Sequence, residues 1–155
     1  MNYKELPEAE KFQRILECVP QQSPFRFVDR LISVDDSRIV GEYRFRQDEW
    51  FYKGHFPGNP ITPGVILTEC MAQIGLVSLA IHHWMNSDRD PNAYLTLFQS
   101  AELEFFHPVK PGELVRVMGE KQLFKMGKVK SRVQLFLEDE TLAASGTLTG
   151  MGVKK

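Results

Sequence analysis

The chain has 155 residues, 43% of them hydrophobic and 25% charged, with a formal net charge of −1. That length and balance describe a single domain over residues 1–155 with a real core, and they exclude a disordered or repetitive chain. The near-neutral total and the lack of a recognisable binding motif argue against nucleic acid as a partner.

The charge is unevenly spread. Residues 1–105 carry 10 basic and 15 acidic side chains, whereas residues 106–155 carry 9 basic and 5 acidic. The basic excess gathers at Lys121, Lys125, Lys128, Lys130 and Arg132. These are either the solvated face of a hairpin or an attractor for an acidic partner. Cys18 and Cys70, the two cysteines, lie far apart in helix-like segments and read as free thiols of a reducing cytoplasm. No Cys or His pair stands at metal-ligand spacing, so no metal is expected. Residues 1–20 hold no apolar stretch suited to a signal peptide. The apolar stretch 70–84 is short for a membrane span and is interrupted by Gln73, Ser78, His82 and His83. A cytoplasmic protein without membrane contact is the expectation.

Phe12, Ile15, Leu16 and Val19 recur at helical spacing, which predicts an amphipathic helix over 8–18 ended by Pro20. Phe25, Phe27, Leu31 and Ile32 then suggest a strand over 25–34. A turn at 35–37 leads to a second strand carrying Ile39, Val40, Tyr43 and Phe45. Residues 63–85 form the main helix, apolar on nearly every side and therefore wrapped by other structure. After a break at 87–92, strand-like runs cover 94–107, 113–125, 129–137 and 141–151. One long helix against a largely antiparallel sheet is an α+β layout.

Between the second strand and the main helix lies Gly54-His55-Phe56-Pro57-Gly58-Asn59-Pro60-Ile61-Thr62-Pro63-Gly64-Val65. Prolines and glycines make this a stiff, sharply turned loop around one histidine. Thr62 is placed to cap the helix, Pro63 suits its first position, and Gly64 leaves its own N–H exposed. Glu69 is an acid inside an otherwise apolar helix. A histidine on a rigid loop, a bare helix N-terminus and a buried carboxylate suit acid–base chemistry on a carbonyl compound.

The run His-Phe-Pro-x-x-Pro-x-x-Pro-Gly-Val-x-x-x-Glu, unbroken from His55 to Glu69, resembles the hotdog-fold 3-hydroxyacyl-acyl carrier protein dehydratases of the FabZ type. Ala72-Gln73, Pro24-Phe25, Val28-Asp29-Arg30, Pro108-Val109 and Pro111-Gly112 fit the same pattern. The resemblance implies a hotdog fold, with an antiparallel sheet curled around the long central helix. It implies at least a homodimer, whose active sites pair His55 of one subunit with Glu69 of the other. Trimers of dimers, or a heterodimer with a related subunit, are further options. It also implies acyl carrier protein as partner and no cofactor, the substrate arriving on the carrier's phosphopantetheine arm.

For elimination of water from a 3-hydroxyacyl thioester, His55 would take the proton from C2, and Glu69, kept protonated by burial, would protonate the departing C3 hydroxyl. Gln73, one helical turn on, would orient Glu69. The Gly64 N–H, with Val65 beside it, would hold the charge that moves to the thioester oxygen. Phe98, Phe105 and Phe106 are candidates for an acyl tunnel, or else core residues. Bland alternatives are a loop-capping role for His55, an arginine-paired structural Glu69, a Gln73 that merely satisfies backbone, and a packing role for Cys70. His82, His83 and His107 have no catalytic context.

The chain departs from its relatives at Phe105-Phe106-His107-Pro108-Val109, where the family has Phe-Arg-Arg-Pro-Val. Carrier docking would then fall to the hairpin at Lys121, Lys125, Lys128, Lys130 and Arg132, and a specialised, polyene-type acyl chain is one expectation. The rivals are a hotdog thioesterase, a dehydratase–isomerase (its relatives carry Asp where Glu69 stands) and a non-catalytic partner subunit.

Overall fold

An apolar helix of 23 residues, Gly64–Asn86, passes through the middle of the molecule. The computed structural model describes residues 2–155. In chain order the elements are α1 (Glu8–Cys18), β1 (Arg30–Val34), β2 (Arg38–Arg44), the central helix α2 (Gly64–Asn86), β3 (Tyr94–Phe105), β4 (Leu114–Lys125), β5 (Lys128–Leu137) and β6 (Leu142–Lys154). The strands form one antiparallel sheet in the order β1-β2-β4-β5-β6-β3.

The sheet curls around α2. Register shifts at Leu31/Ser33, Phe98/Ser100, Lys121/Leu123 and Leu135/Phe136 add local twist, as bulges do. In β5 the residues alternate strictly between core and solvent: Val129, Ser131, Val133, Leu135 and Leu137 point in, while Lys128, Lys130 and Arg132 point out. Helix α2 supplies the other half of the core with Cys70, Met71, Ile74, Leu79, Ala80 and Ile81, all essentially without exposure. By length and composition it could cross a membrane; instead, 78% of its most apolar window is buried by the protein itself.

Two glycines set how closely helix and sheet approach. A Cβ on Gly119 of β4 would stand 2.5 Å from the Cα of Gly75, and one on Gly75 would stand 2.6 Å from Val133 Cγ1. Helix backbone therefore lies directly on strand backbone. Around this contact, over Gln73–Ser78, α2 widens into a π-helical turn. The Ser78 hydroxyl donates to the Gln73 carbonyl at 2.6 Å, satisfying an acceptor in the distorted turn.

Three expectations need correction. Residues 25–29 do not belong to the first strand, which begins at Arg30. Their backbone is engaged by side chains of α2: Gln73 bonds Phe25 O and Phe27 N, and the Cys70 thiol donates to Phe27 O. Thr62 does not cap α2. Its hydroxyl shares a 2.6 Å bond with Tyr52, and Pro63 occupies the cap position, its carbonyl accepting from Ile66 and Leu67. The last strand runs on to Lys154, because β3 continues to pair with it as far as Tyr94.

Candidate active site

His55 stands on a loop that closes on itself. Its carbonyl accepts from Ile61 N–H at 2.9 Å, and its ring Nδ1 lies 2.8 Å from Ile61 O. A carbonyl only accepts, so Nδ1 carries a proton, and in the neutral tautomer this selects Nε2 as the basic nitrogen. Phe56 stacks on the imidazole with centroids 4.1 Å apart and exchanges backbone bonds with Asn59. Thr62 N–H donates to Val109 O at 2.8 Å, tying this loop to the Pro108–Val109 segment. These bonds to Ile61, between Phe56 and Asn59, and to Val109 hold the histidine loop in place.

Glu69 lies on the first turns of α2, partly buried, and burial pushes its carboxyl above the ordinary carboxylate range. The hydrogen bond from Gln73 acts in the opposite sense and is the smaller effect. Gln73 itself is wholly buried and can point only one way. Its Oε1 accepts from Phe27 N–H at 2.7 Å, while its Nε2 donates to Phe25 O at 2.9 Å and to Glu69 Oε1 at 3.0 Å. The residue therefore does both things weighed for it: it satisfies buried backbone, and that same anchoring aims its amide at Glu69. No arginine pairs with Glu69 among the described ion pairs.

Gly64 opens α2 and its N–H serves no backbone acceptor, as expected of a first helical turn. A Cβ there would meet the Phe105 ring at 3.4 Å, so the glycine keeps the backbone open beside that aromatic face. Val65 next to it is 77% exposed.

Phe98, Phe105 and Phe106 are not core residues; they are 46%, 48% and 54% exposed on or just beyond the free edge of β3. Phe105 lies at the Gly64 end. Phe98 lines a small hollow, about 30 Å³, together with Glu69, Leu76 and Val77. Gln21 and Thr96 complete the polar part of that lining. Sequence reasoning missed both, since neither sits in a motif. His55 is not part of this hollow.

The basic residues sit on the β4–β5 hairpin, whose tip is a tight turn with positive φ at Met126 and Gly127. None of Lys121, Lys125, Lys128, Lys130 and Arg132 takes part in an ion pair among the described residues. The hairpin covers the far end of α2, where Phe124 packs on His83 and Trp84, and Gly152 of β6 approaches Trp84 beside it. That end is roughly 30 Å from Gly64 at ~1.5 Å per helical residue. Cys70 is fully buried and its thiol is pushed up by burial, which makes it a packing residue. Among the described residues no group of three His, Cys, Asp or Glu could hold a metal.

A curled antiparallel sheet around one long apolar helix defines the hotdog fold. The chain belongs to the FabA-like family, whose model, described as a FabA-like domain, matches residues 19–145. It is 37% identical over 121 residues to a 3-hydroxyacyl-[acyl-carrier-protein] dehydratase FabZ of Thermomicrobium roseum, covering 77% of this chain and 74% of that one. To the FabZ of Chlamydia trachomatis serovar L2 it is 36% identical, with 92% of each chain covered. Among solved structures it superposes on the dehydratase heterocomplex ApeI:P of Xenorhabdus doucetiae with a TM-score of 0.77 at 14% identity, over 91% of each chain. A hypothetical thioesterase of Streptococcus pneumoniae, solved with coenzyme A, superposes with a TM-score of 0.59 at 10% identity, covering 81% of this chain and 85% of that one. These two likenesses bear on the fold alone.

Proposed function

We propose that this chain is a 3-hydroxyacyl-acyl carrier protein dehydratase that works as a dimer, each site combining His55 of one subunit with Glu69 of the other. The observation that carries the chemistry is the opposed preparation of these two groups. The Ile61 carbonyl selects the His55 tautomer whose basic nitrogen is Nε2, and burial favours the protonated form of Glu69. His55 Nε2 takes the C2 proton, the electron pair forms the C2–C3 double bond, and the C3 hydroxyl leaves as water with the proton of Glu69. The Gly64 N–H at the positive end of α2 stabilises the negative charge on the thioester oxygen meanwhile. No cofactor is needed; the phosphopantetheine arm of the carrier brings the substrate.

The free edge of β3 supports the shared site. It is 12 residues long, unpaired on one side, and carries Leu97, Phe98 and Phe105 in the open. Such an edge is a template for pairing. Antiparallel pairing of two copies brings the Phe105 end of one, with Gly64, beside the Thr96–Phe98 end of the other, with Glu69. The same pairing brings the basic hairpin toward the neighbouring subunit's Gly64. From β5 to that edge is only two strand spacings, roughly 10 Å, so the hairpin serves as the carrier's landing surface. The free thiols Cys18 and Cys70 suit a reducing cytoplasm.

Complementation tests this reading. His55→Ala and Glu69→Gln are each inactive on a 3-hydroxyacyl thioester. Unfolded and refolded together in equal amounts, they regain about a quarter of wild-type enoyl formation, because half the dimers hold one intact site of two. Recovery of nothing places both residues in one subunit's site. Free thiol in place of enoyl product makes the protein a thioesterase.

A further inference from the structure

The hollow beside Glu69 has a mixed lining. Leu76, Val77 and Phe98 are apolar, while Gln21 and Thr96 are not. Both polar residues carry a buried oxygen without a hydrogen-bond partner, Gln21 Oε1 and Thr96 Oγ1. Buried oxygens left unpaired are destabilising and rare, and here two of them belong to the lining that also contains a carboxyl. An acyl chain would leave them unpaired. The volume of about 30 Å³ exceeds the roughly 10–15 Å³ that a single water requires, and it holds little more.

We propose that Gln21, Thr96 and Glu69 form a binding site for the water molecule that the elimination releases and that the reverse hydration consumes. The inference rests on the dehydratase reading above. As the C3–O bond breaks, its electron pair stays on oxygen and the Glu69 proton joins it. The resulting water donates to Gln21 Oε1 and to the new Glu69 carboxylate, and accepts from the Thr96 hydroxyl. His55 keeps the proton from C2, and exchange with solvent resets both residues. Gln21 and Thr96 are thus positioning residues: they hold the leaving oxygen in line with Glu69 and keep the apolar wall from trapping it.

The test compares Thr96→Val, Thr96→Ser and Gln21→Leu with wild type on 3-hydroxybutyryl-pantetheine and on the matching enoyl thioester. Thr96→Val and Gln21→Leu lower kcat about tenfold in both directions with the KM of the hydroxyacyl substrate within about twofold, and serine restores it. The alkaline limb of the pH–kcat profile moves to higher pH in both, because Glu69 loses a donor that favoured its charged form. A packing role for Thr96 would not move that limb. Unchanged kcat and pH profile in both variants, with wild type active and His55→Ala dead, overturns the water site and leaves the dehydratase standing. Wild type that forms no enoyl product overturns both. If Thr96→Val fails to fold, a high-resolution crystal structure of wild type decides: an ordered water bonded to Thr96 and Gln21 supports the site, and a side-chain atom or acyl carbon in its place sinks it.

Discussion

Gln73 donates to Glu69 across one turn of α2 at 3.0 Å while its other amide atoms are bound to the backbone of Phe25 and Phe27. The carboxyl is thus oriented by a side chain that is itself locked from outside the helix. This differs from a free i,i+4 contact, worth only a few tenths of a kcal/mol on an exposed helix.

Gln73→Leu therefore has two consequences. It leaves Phe27 N–H and Phe25 O without partners, which costs about 2–4 kcal/mol of stability. It also releases Glu69, lowering kcat by ~10–100-fold with a smaller change in KM. Urea unfolding and steady-state kinetics check the two separately; a large kcat loss without a stability loss contradicts the anchoring.

Glu69 is destabilising for the fold at neutral pH. Its folded pKa is raised by burial, so its contribution is present below the ordinary carboxylate range and lost as pH rises through the raised value. Glu69→Gln removes that loss and raises Tm at pH 7, with activity abolished. Melting curves from pH 4 to 8 should converge at the acid end.

His82 supplies the opposite slope. Burial holds its pKa low, against the raising effect of Asp36, and the ring bridges Tyr3 OH at 2.8 Å and Asp36 at 3.1 Å. With the folded pKa depressed, its stability contribution is present above the ordinary histidine value near 6.5 and declines as pH falls through the lower folded value. His83, also depressed by burial, acts in the same direction. His82→Gln should flatten the acid side of the stability profile at a cost of about 1–2 kcal/mol near pH 8, measured by denaturant titration at each pH.

The exposed cations of β5 set the carrier interaction. Lys128→Glu with Lys130→Glu should raise KM for an acyl carrier protein substrate about tenfold at low salt, the difference shrinking as ionic strength rises. KM for the pantetheine thioester should stay unchanged, since it has no acidic carrier. An equal effect on both substrates would mean that the hairpin does not touch the carrier.

Local chemistry determined much of this protein directly from sequence. Proline stiffens the backbone and glycine lets it turn sharply, so the tight loop at His55 was legible and the start of α2 was placed to within one residue. The apolar run of α2 implied its central place, and the strand-like runs at 113–125 and 129–137 marked the hairpin. Distant contacts decided the rest. Residues 25–28 carry strand-like side chains yet make no ladder, because Gln73 and Cys70 reach them first. Thr62 has the chemistry of a cap, yet Tyr52 occupies it. The aromatic residues of β3 look like core in a one-dimensional pattern, and only the strand order reveals that they line a free edge. Gln21 and Thr96 came into view last of all, since an unpaired oxygen beside a carboxyl exists only once the chain has brought residues 21, 69 and 96 together.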